Sequence, residues 1–260
     1  MFNFTYNIPT KVYFGDNQLS NLGKEIKKFG KKVLLCYGGG SIKKIGLYGE
    51  VIDELKKENL EIFELNGIEP NPRVTSVNTG ANICKKEKID VLLAVGGGSV
   101  IDCTKAIAAA TFYEGDAWDI VTKKVPVINC LPLVTILTLS ATGSEMDAGG
   151  VISNLETNDK IGVASPLMQP KVSFLNPKNT FTVSPYQTAC GAADILSHIM
   201  ETYFNTTGSM YMLDCFMEGM MKTVVKYAPT AMKEPENEEA RANLMWTSSW
   251  AINGFARACQ

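Results

Sequence analysis

Asp194 and His198 stand four positions apart in the run Ala193-Asp194-Ile195-Leu196-Ser197-His198. On a helix that spacing projects both side chains from one face, one turn apart. A carboxylate oxygen and an imidazole nitrogen so placed supply half of a divalent-metal site, and iron, zinc, manganese, cobalt or nickel all accept that donor pair. The same spacing also occurs as a plain surface interaction, and the pair alone leaves both readings open. Glu201, a turn further on, reads as solvated. His198 is the single histidine of the 260 residues, so a centre needing two or three imidazoles is not completed within them.

A second chemistry is written twice. Residues 33–41 read VLLCYGGGS and residues 91–99 read VLLAVGGGS, each a buried apolar run that ends in a glycine turn and opens a helix. Glycines there let the backbone approach a ligand closely, and the helix start offers unpaired N–H groups and a positive dipole end to a phosphate. Tight strand-to-helix turns need the same glycines, but the matched pair, with Ser99 placed to cap and Asp102 one turn in, favours two grips on one dinucleotide. Neither turn is a GxGxxG fingerprint or a P-loop. The first turn, Gly38-Gly39-Gly40-Ser41 followed by Lys43 and Lys44, holds hydroxyl and ammonium groups and no carboxylate, which favours NADP over NAD. The lysines read equally as a solvated helix face. The segment Thr138-Leu139-Ser140-Ala141-Thr142-Gly143-Ser144-Glu145 brings hydroxyls without charge, suited to a phosphate or carboxamide or to an ordinary polar turn.

The elements that position these groups follow from the hydrophobic pattern. Strands are expected at 32–37, 61–65, 90–95, part of 126–138 and 171–175, and helices at 19–29, 43–58, 73–87 and 99–112. That alternation predicts an α/β fold with a parallel sheet. After residue 183 no strand is evident. Ser184-Pro185-Tyr186-Gln187 is a capping box with proline at the first helical position, opening a helix to about Phe204, and further helices are expected at 209–228 and 236–258. The methionines and tryptophans of this part, spaced as on helices, read as core. The boundary is placed at 183–184, with a dinucleotide-binding α/β domain over 1–183 and a helical metal and substrate domain over 184–260.

Composition narrows the partners. A net charge of −2 with 20% charged residues offers no footprint for nucleic acid or an anionic membrane, which leaves small-molecule chemistry. Seven cysteines, an odd number without CxxC spacing, suit a reducing cytoplasm. The first residues lack a secretory pattern, and the most apolar run, 125–139, is too short to span a bilayer.

Taken together, the motifs resemble the iron-type (group III), metal-dependent alcohol dehydrogenases, above all their butanol dehydrogenase-like, NADPH-dependent aldehyde reductase branch. The carriers are Phe2-Asn3-Phe4-Thr5 with Val12-Tyr13-Phe14-Gly15, the first GGGS, Gly67-Ile68-Glu69-Pro70-Asn71-Pro72, GGGSVID at 96–102, LSATGSEMD at 139–147, Lys160-Ile161-Gly162 with Ser165-Pro166, and 193–198. The resemblance implies a Rossmann-like parallel-sheet domain followed by an incomplete helical one. It implies NADP (NAD less so) held by Gly38, Gly39 and Ser41 at the adenosine end and by Gly97, Gly98, Ser99 and Asp102 at the diphosphate, with Asn71, Thr138, Ser140, Thr142 and Lys160 completing the site. It also implies that Asp194 and His198 are two of four ligands of a catalytic divalent metal such as iron or zinc. The expected reaction is hydride transfer between NADP(H) and a primary alcohol or aldehyde whose oxygen the metal polarises. The chain is expected to be C-terminally shortened, with two histidine ligands beyond Gln260. The partners expected are a small-molecule alcohol or aldehyde and, as an assembly, a homodimer, in the cytoplasm. The rivals are a dehydroquinate synthase-like lyase and a non-catalytic dinucleotide-binding fragment.

Overall fold

The computed structural model describes residues 6–204 and 210–253. Strands β1 (Lys11–Phe14), β2 (Lys32–Tyr37), β3 (Glu61–Leu65), β4 (Val91–Gly96), β5 (Leu133–Leu137) and β8 (Val172–Leu175) form one sheet in the order β1-β8-β5-β4-β2-β3. Every pair in it is parallel. The central strands are near-continuous Val, Leu and Ile runs because both faces are covered by helices, so neither set of alternate residues meets water. Leu34, Cys36, Leu92 and Ala94 point to the face packed by α4 (Val74–Glu87) and α5 (Gly98–Ala110). Val33, Leu35, Val91 and Leu93 point to the other, under α1 (Leu22–Lys27) and α3 (Leu47–Lys57).

Several elements depart from the sequence expectation. The helix foreseen over 43–58 is two, α2 (Ser41–Lys44) and α3, parted at Gly46, whose φ of 81° breaks the helical path. The one foreseen over 19–29 starts as a 3-10 turn at Gln18–Asn21. Of 126–138 only β5 is strand, because the stretch ending at Pro132 lacks regular pairing. Ser99 does not cap α5; Gly97 holds the cap position and Ser99 lies inside the helix. A short helix, α6 (Ala117–Val121), and an antiparallel hairpin of β6 (Gly149–Asn154) and β7 (Asp159–Ala164) were not foreseen.

After β8 the chain is helical: α7 (Pro185–Tyr203), α8 (Tyr211–Lys233) and α9 (Glu238–Ala251). Ser184 Oγ accepts from the Gln187 N–H at 3.2 Å, the cap read from the sequence. α8 runs past its expected end and through Pro229. Positions 209 and 254–258 of the expected helices lie outside the described residues. Ile195, Ile199, Leu213, Met217, Met220, Val224 and Leu244 form the apolar centre of the three helices. The core reading holds for Met217, Met220 and Met245, whereas Met212 and Trp246 are 60% and 40% exposed. Among the described residues no helix is long and apolar enough to cross a membrane.

The helices are latched to the α/β part by buried polar contacts. Asn253 Nδ2 donates to Gly143 O at 2.7 Å, and Ser249 Oγ donates to Glu145 Oε1. Glu145 is fully buried and its Oε2 has no partner among the described residues. Burial pushes its carboxyl up to about 6, against the opposing hydrogen bond from Ser249. A carboxyl raised in the folded state lends stability below its ordinary range near 4.5 and loses that contribution as pH climbs through about 6. The wild type should therefore lose about 1 kcal/mol between pH 5 and pH 7 from this group. Urea unfolding at the two pH values should show that loss in the wild type and its absence in Glu145→Gln; an identical pH slope in both proteins would refute the assignment.

Candidate functional site

The strand order reverses between β2 and β4. From β2 the chain steps outward to β3, returns to β4 on the other side of β2, and continues to β5. In an open parallel sheet, a crevice forms at such a switch point outside the carboxyl ends of the strands. Both GGGS turns leave those two ends, and Tyr37 is paired with Val95 just before them. The matched turns of the sequence are thus neighbours in space.

The segment 67–72 joins them. Gly67 N and Ile68 N donate to Gly38 O and Tyr37 O, and Asn71 N donates to Ser99 Oγ at 3.3 Å. Residues 138–145 press on the second turn so closely that side chains are excluded there. A β-carbon at Gly97 would lie 3.3 Å from Leu139 Cβ, and one at Gly98 would lie 2.4 Å from Thr142 Oγ1.

A cavity of about 880 Å³ opens beside this junction. Asn71, Gly98, Ser99, Asp102, Thr142 and Lys160 line it, and so do Asp194 and His198 from α7. Six of the twelve expected dinucleotide residues and both expected metal residues therefore meet in one place. Gly38, Gly39, Ser41, Gly97, Thr138 and Ser140 are not among its lining residues. The first turn lies outside it, with Gly39 and Ser41 exposed. Thr138 caps the end of β5 through its backbone N–H to Gly96 O at 3.0 Å.

The hairpin forms a wall that sequence reading did not supply. Its β7 carries Lys160, whose Nζ donates to Asn71 Oδ1 at 2.8 Å. Its β6 lies so near α5 that a β-carbon at Gly150 would sit 3.2 Å from the Asp102 Cα. Behind that wall lies a group also missed, Lys105, with 0% exposure. Its ammonium donates to Ser144 Oγ at 3.0 Å, to Gly149 O at 2.7 Å and to Asp147 Oδ1. Ser144 in turn donates to Asp102 Oδ1 at 2.6 Å, and Val151 N donates to Asp102 Oδ2 at 2.9 Å. Burial pushes the Asp102 carboxyl above its ordinary range, while Lys105, Ser144 and Val151 pull it back. A lysine one turn from Asp102, running straight into the apolar stretch AIAAA of the GSVIDCTKAIAAA helix, was the sequence signal.

Asp194 Oδ2 and His198 Nε2 stand 3.6 Å apart, beyond hydrogen-bond length, with side chains 42% and 22% exposed. The donor set suits one edge of a divalent-metal shell, and among the described residues no cluster of three or more His, Cys, Asp or Glu completes it. At the first turn, Lys43 Nζ lies 4.6 Å from the Tyr48 ring centroid and 5.1 Å from that of Tyr37. Beneath them Glu64 of β3 accepts from Tyr37 Oη at 2.6 Å and Tyr48 Oη at 2.7 Å. A carboxylate absent from the turn itself is thus supplied nearby by the next strand, with both oxygens already engaged.

Close packing at one turn and open space at the other give a paired test. Gly98→Ala should cost about 1–3 kcal/mol in urea unfolding because its methyl meets Thr142. Gly39→Ala, with nothing within 4 Å of the added carbon, should stay within about 0.5 kcal/mol of the wild type.

Comparison with known proteins follows the same lines. The family model described as iron-containing alcohol dehydrogenase matches residues 9–177, and the one described as Fe-containing alcohol dehydrogenase family, C-terminal, matches residues 188–260. The chain is 52% identical to NADH-dependent butanol dehydrogenase A of Clostridium acetobutylicum, over 98% of this chain and 66% of that protein. It is 40% identical to the NADPH-dependent aldehyde reductase YqhD of Escherichia coli, over 99% of this chain and 67% of that protein. The crystal structure of NADH-dependent butanol dehydrogenase A from Thermotoga maritima superposes with a TM-score of 0.95 at 44% identity, covering 97% of this chain and 64% of that one. The chain thus spans about two-thirds of the length of these relatives. With one family model spanning the sheet and both glycine turns and the other spanning the helical segment, the chain belongs to the iron-containing alcohol dehydrogenase family.

Proposed function

We propose that this chain carries the nicotinamide-dinucleotide site and two metal ligands of an oxidoreductase that interconverts a primary alcohol and an aldehyde. The observation that carries this reading is one cavity lined both by the start of α5 and by the Asp194–His198 pair. Ser99 and the first-turn amides of α5 offer hydrogen bonds to a diphosphate, as Thr142 does with its hydroxyl. Lys160, held by Asn71, adds a positive charge to the opposite wall. Asp194 and His198 would hold the metal's edge nearest α7. When bound, a divalent metal there supplies Lewis acidity toward a substrate oxygen, and the dinucleotide supplies or accepts the hydride.

Of the two dinucleotides we favour NADP. The reading is supported by the carboxylate-free Gly38–Ser41 turn and by Lys43 beside it; Glu64 and the NADH-dependent names of some relatives weigh the other way. A two-unit division at 183–184 is part of the same proposal, supported by the separate apolar centre of α7, α8 and α9. A cytoplasmic setting accords with cysteines that are unbridged among the described residues. The lyase and remnant readings gain no support from the comparisons.

Calorimetric titration tests the metal part: Zn²⁺ or Fe²⁺ should bind the chain, and His198→Ala or Asp194→Ala should weaken that binding by at least about tenfold with dinucleotide affinity unchanged. Equal metal binding by wild type and both variants would remove these residues from the ligand set. The cofactor part is read by fluorescence titration with NADPH and NADH. Ser41→Asp should weaken NADPH about tenfold relative to NADH, since a carboxylate there repels a 2′-phosphate; equal loss for both would argue against NADP at this turn.

A further inference from the structure

Lys105 has no role in the chemistry above, yet it is wholly buried against the cavity wall and fully hydrogen-bonded. Donor counting fixes the charges around it. The ammonium can only donate, so Ser144 Oγ accepts from it and spends its own proton on Asp102 Oδ1, while Val151 N–H occupies Oδ2. Both Asp102 oxygens act as acceptors, as an ionised carboxylate requires. Asp147 Oδ1 likewise accepts from Lys105 and from Gly149 N at 2.8 Å. Two carboxylates thus face one ammonium.

Asp102, Ser144 and Asp147 line the cavity that also holds Ser99 and the Asp194–His198 pair. A dinucleotide with its diphosphate at the start of α5 must carry its nicotinamide along this cavity toward α7, past the cluster. The oxidised ring bears one positive charge and the reduced ring none. We propose that the Asp102–Lys105–Asp147 cluster is a charge-setting platform that makes the cavity prefer the oxidised, cationic nicotinamide over the reduced one, with Lys105 setting how strong that preference is. The proposal rests on the dinucleotide reading of the cavity. Lys105 acts as a positioning residue: it touches no ligand and works through the two carboxylates.

The test is direct titration of this chain with NADP⁺, NADPH, NAD⁺ and NADH at about pH 8.5, where carboxylates stay ionised. The readout is the ratio of affinities for the oxidised and reduced forms. Asp147→Asn should lower the oxidised preference, and Lys105→Met should raise it, each by about tenfold, the effect of one unit charge about 12 Å away in a medium of effective dielectric about 20. Opposite signs are what a merely structural role does not produce. Ratios unmoved in both variants, or moved in the same direction, would overturn the platform while leaving the dinucleotide site intact. Should Lys105→Met fail to fold, Asp147→Asn and Asp102→Asn decide alone: a lowered ratio in both supports the proposal and an unmoved ratio refutes it. Failure of the wild type to bind any of the four would overturn the cofactor reading and this inference together.

Discussion

An ammonium group sealed from water must find a full set of acceptors, and around Lys105 that requirement shapes the structure. All of its partners come from the stretch 144–149, so the loop after β5 is tied to the middle of α5. Asp102, a turn earlier on the same helix, ties down Ser144 and Val151 as well. This stitching draws β6 against α5 until a β-carbon at position 150 would press on Asp102. Where β6 lies, β7 must follow, and with it Lys160 and its bond to Asn71. The wall of the cavity is therefore a consequence of one buried charge.

Much of this was legible in the residue pattern. The central strands announced themselves as unbroken apolar runs, and the turns that follow β2 and β4 were matched word for word. Their adjacency was not legible, because it depends on strand order, which periodicity does not encode. The hairpin was missed for a local reason: β6 opens with two glycines that lack strand propensity, and Ile152 is its one side chain in the main apolar core. β1 was missed because its four residues form an edge with little burial to mark them. Lys105 escaped notice because sequence reading assigns lysines to solvent by default, and its buried partners lie some forty positions away. Glu64 was hidden for a related reason. The first turn carries no carboxylate of its own, but a neighbouring strand brings one within reach of Tyr37 and Tyr48.

The helical part shares the cavity while keeping an apolar centre of its own, and only Met245 of α9 joins the buried cluster of the sheet among the described residues. Asp194 and His198 reach it from α7, whose apolar side packs on α8 and α9. The bonds of Ser249 and Asn253 to the loop at 143–145 hold that arrangement from the far end of α9. The loop is thus fixed twice, by α5 on one side and by α9 on the other. The side chains it presents to the cavity, Thr142, Ser144 and Asp147, are as ordered as the two latches allow.

The first strand has an unusual place in time. Of the sheet's members, β1 pairs only with β8, which lies more than 150 positions later in the chain. During synthesis at about 5–20 residues per second, residues 11–14 must wait roughly ten to thirty seconds for their partner to leave the ribosome. Over that interval β2, β3 and β4 already have their neighbours and β5 has one of its two, while the segment that becomes β1 stays unpaired beside a partly assembled sheet. The last step of sheet assembly is then the insertion of β8 between β5 and β1, joining a strand made early to one made more than 150 residues later.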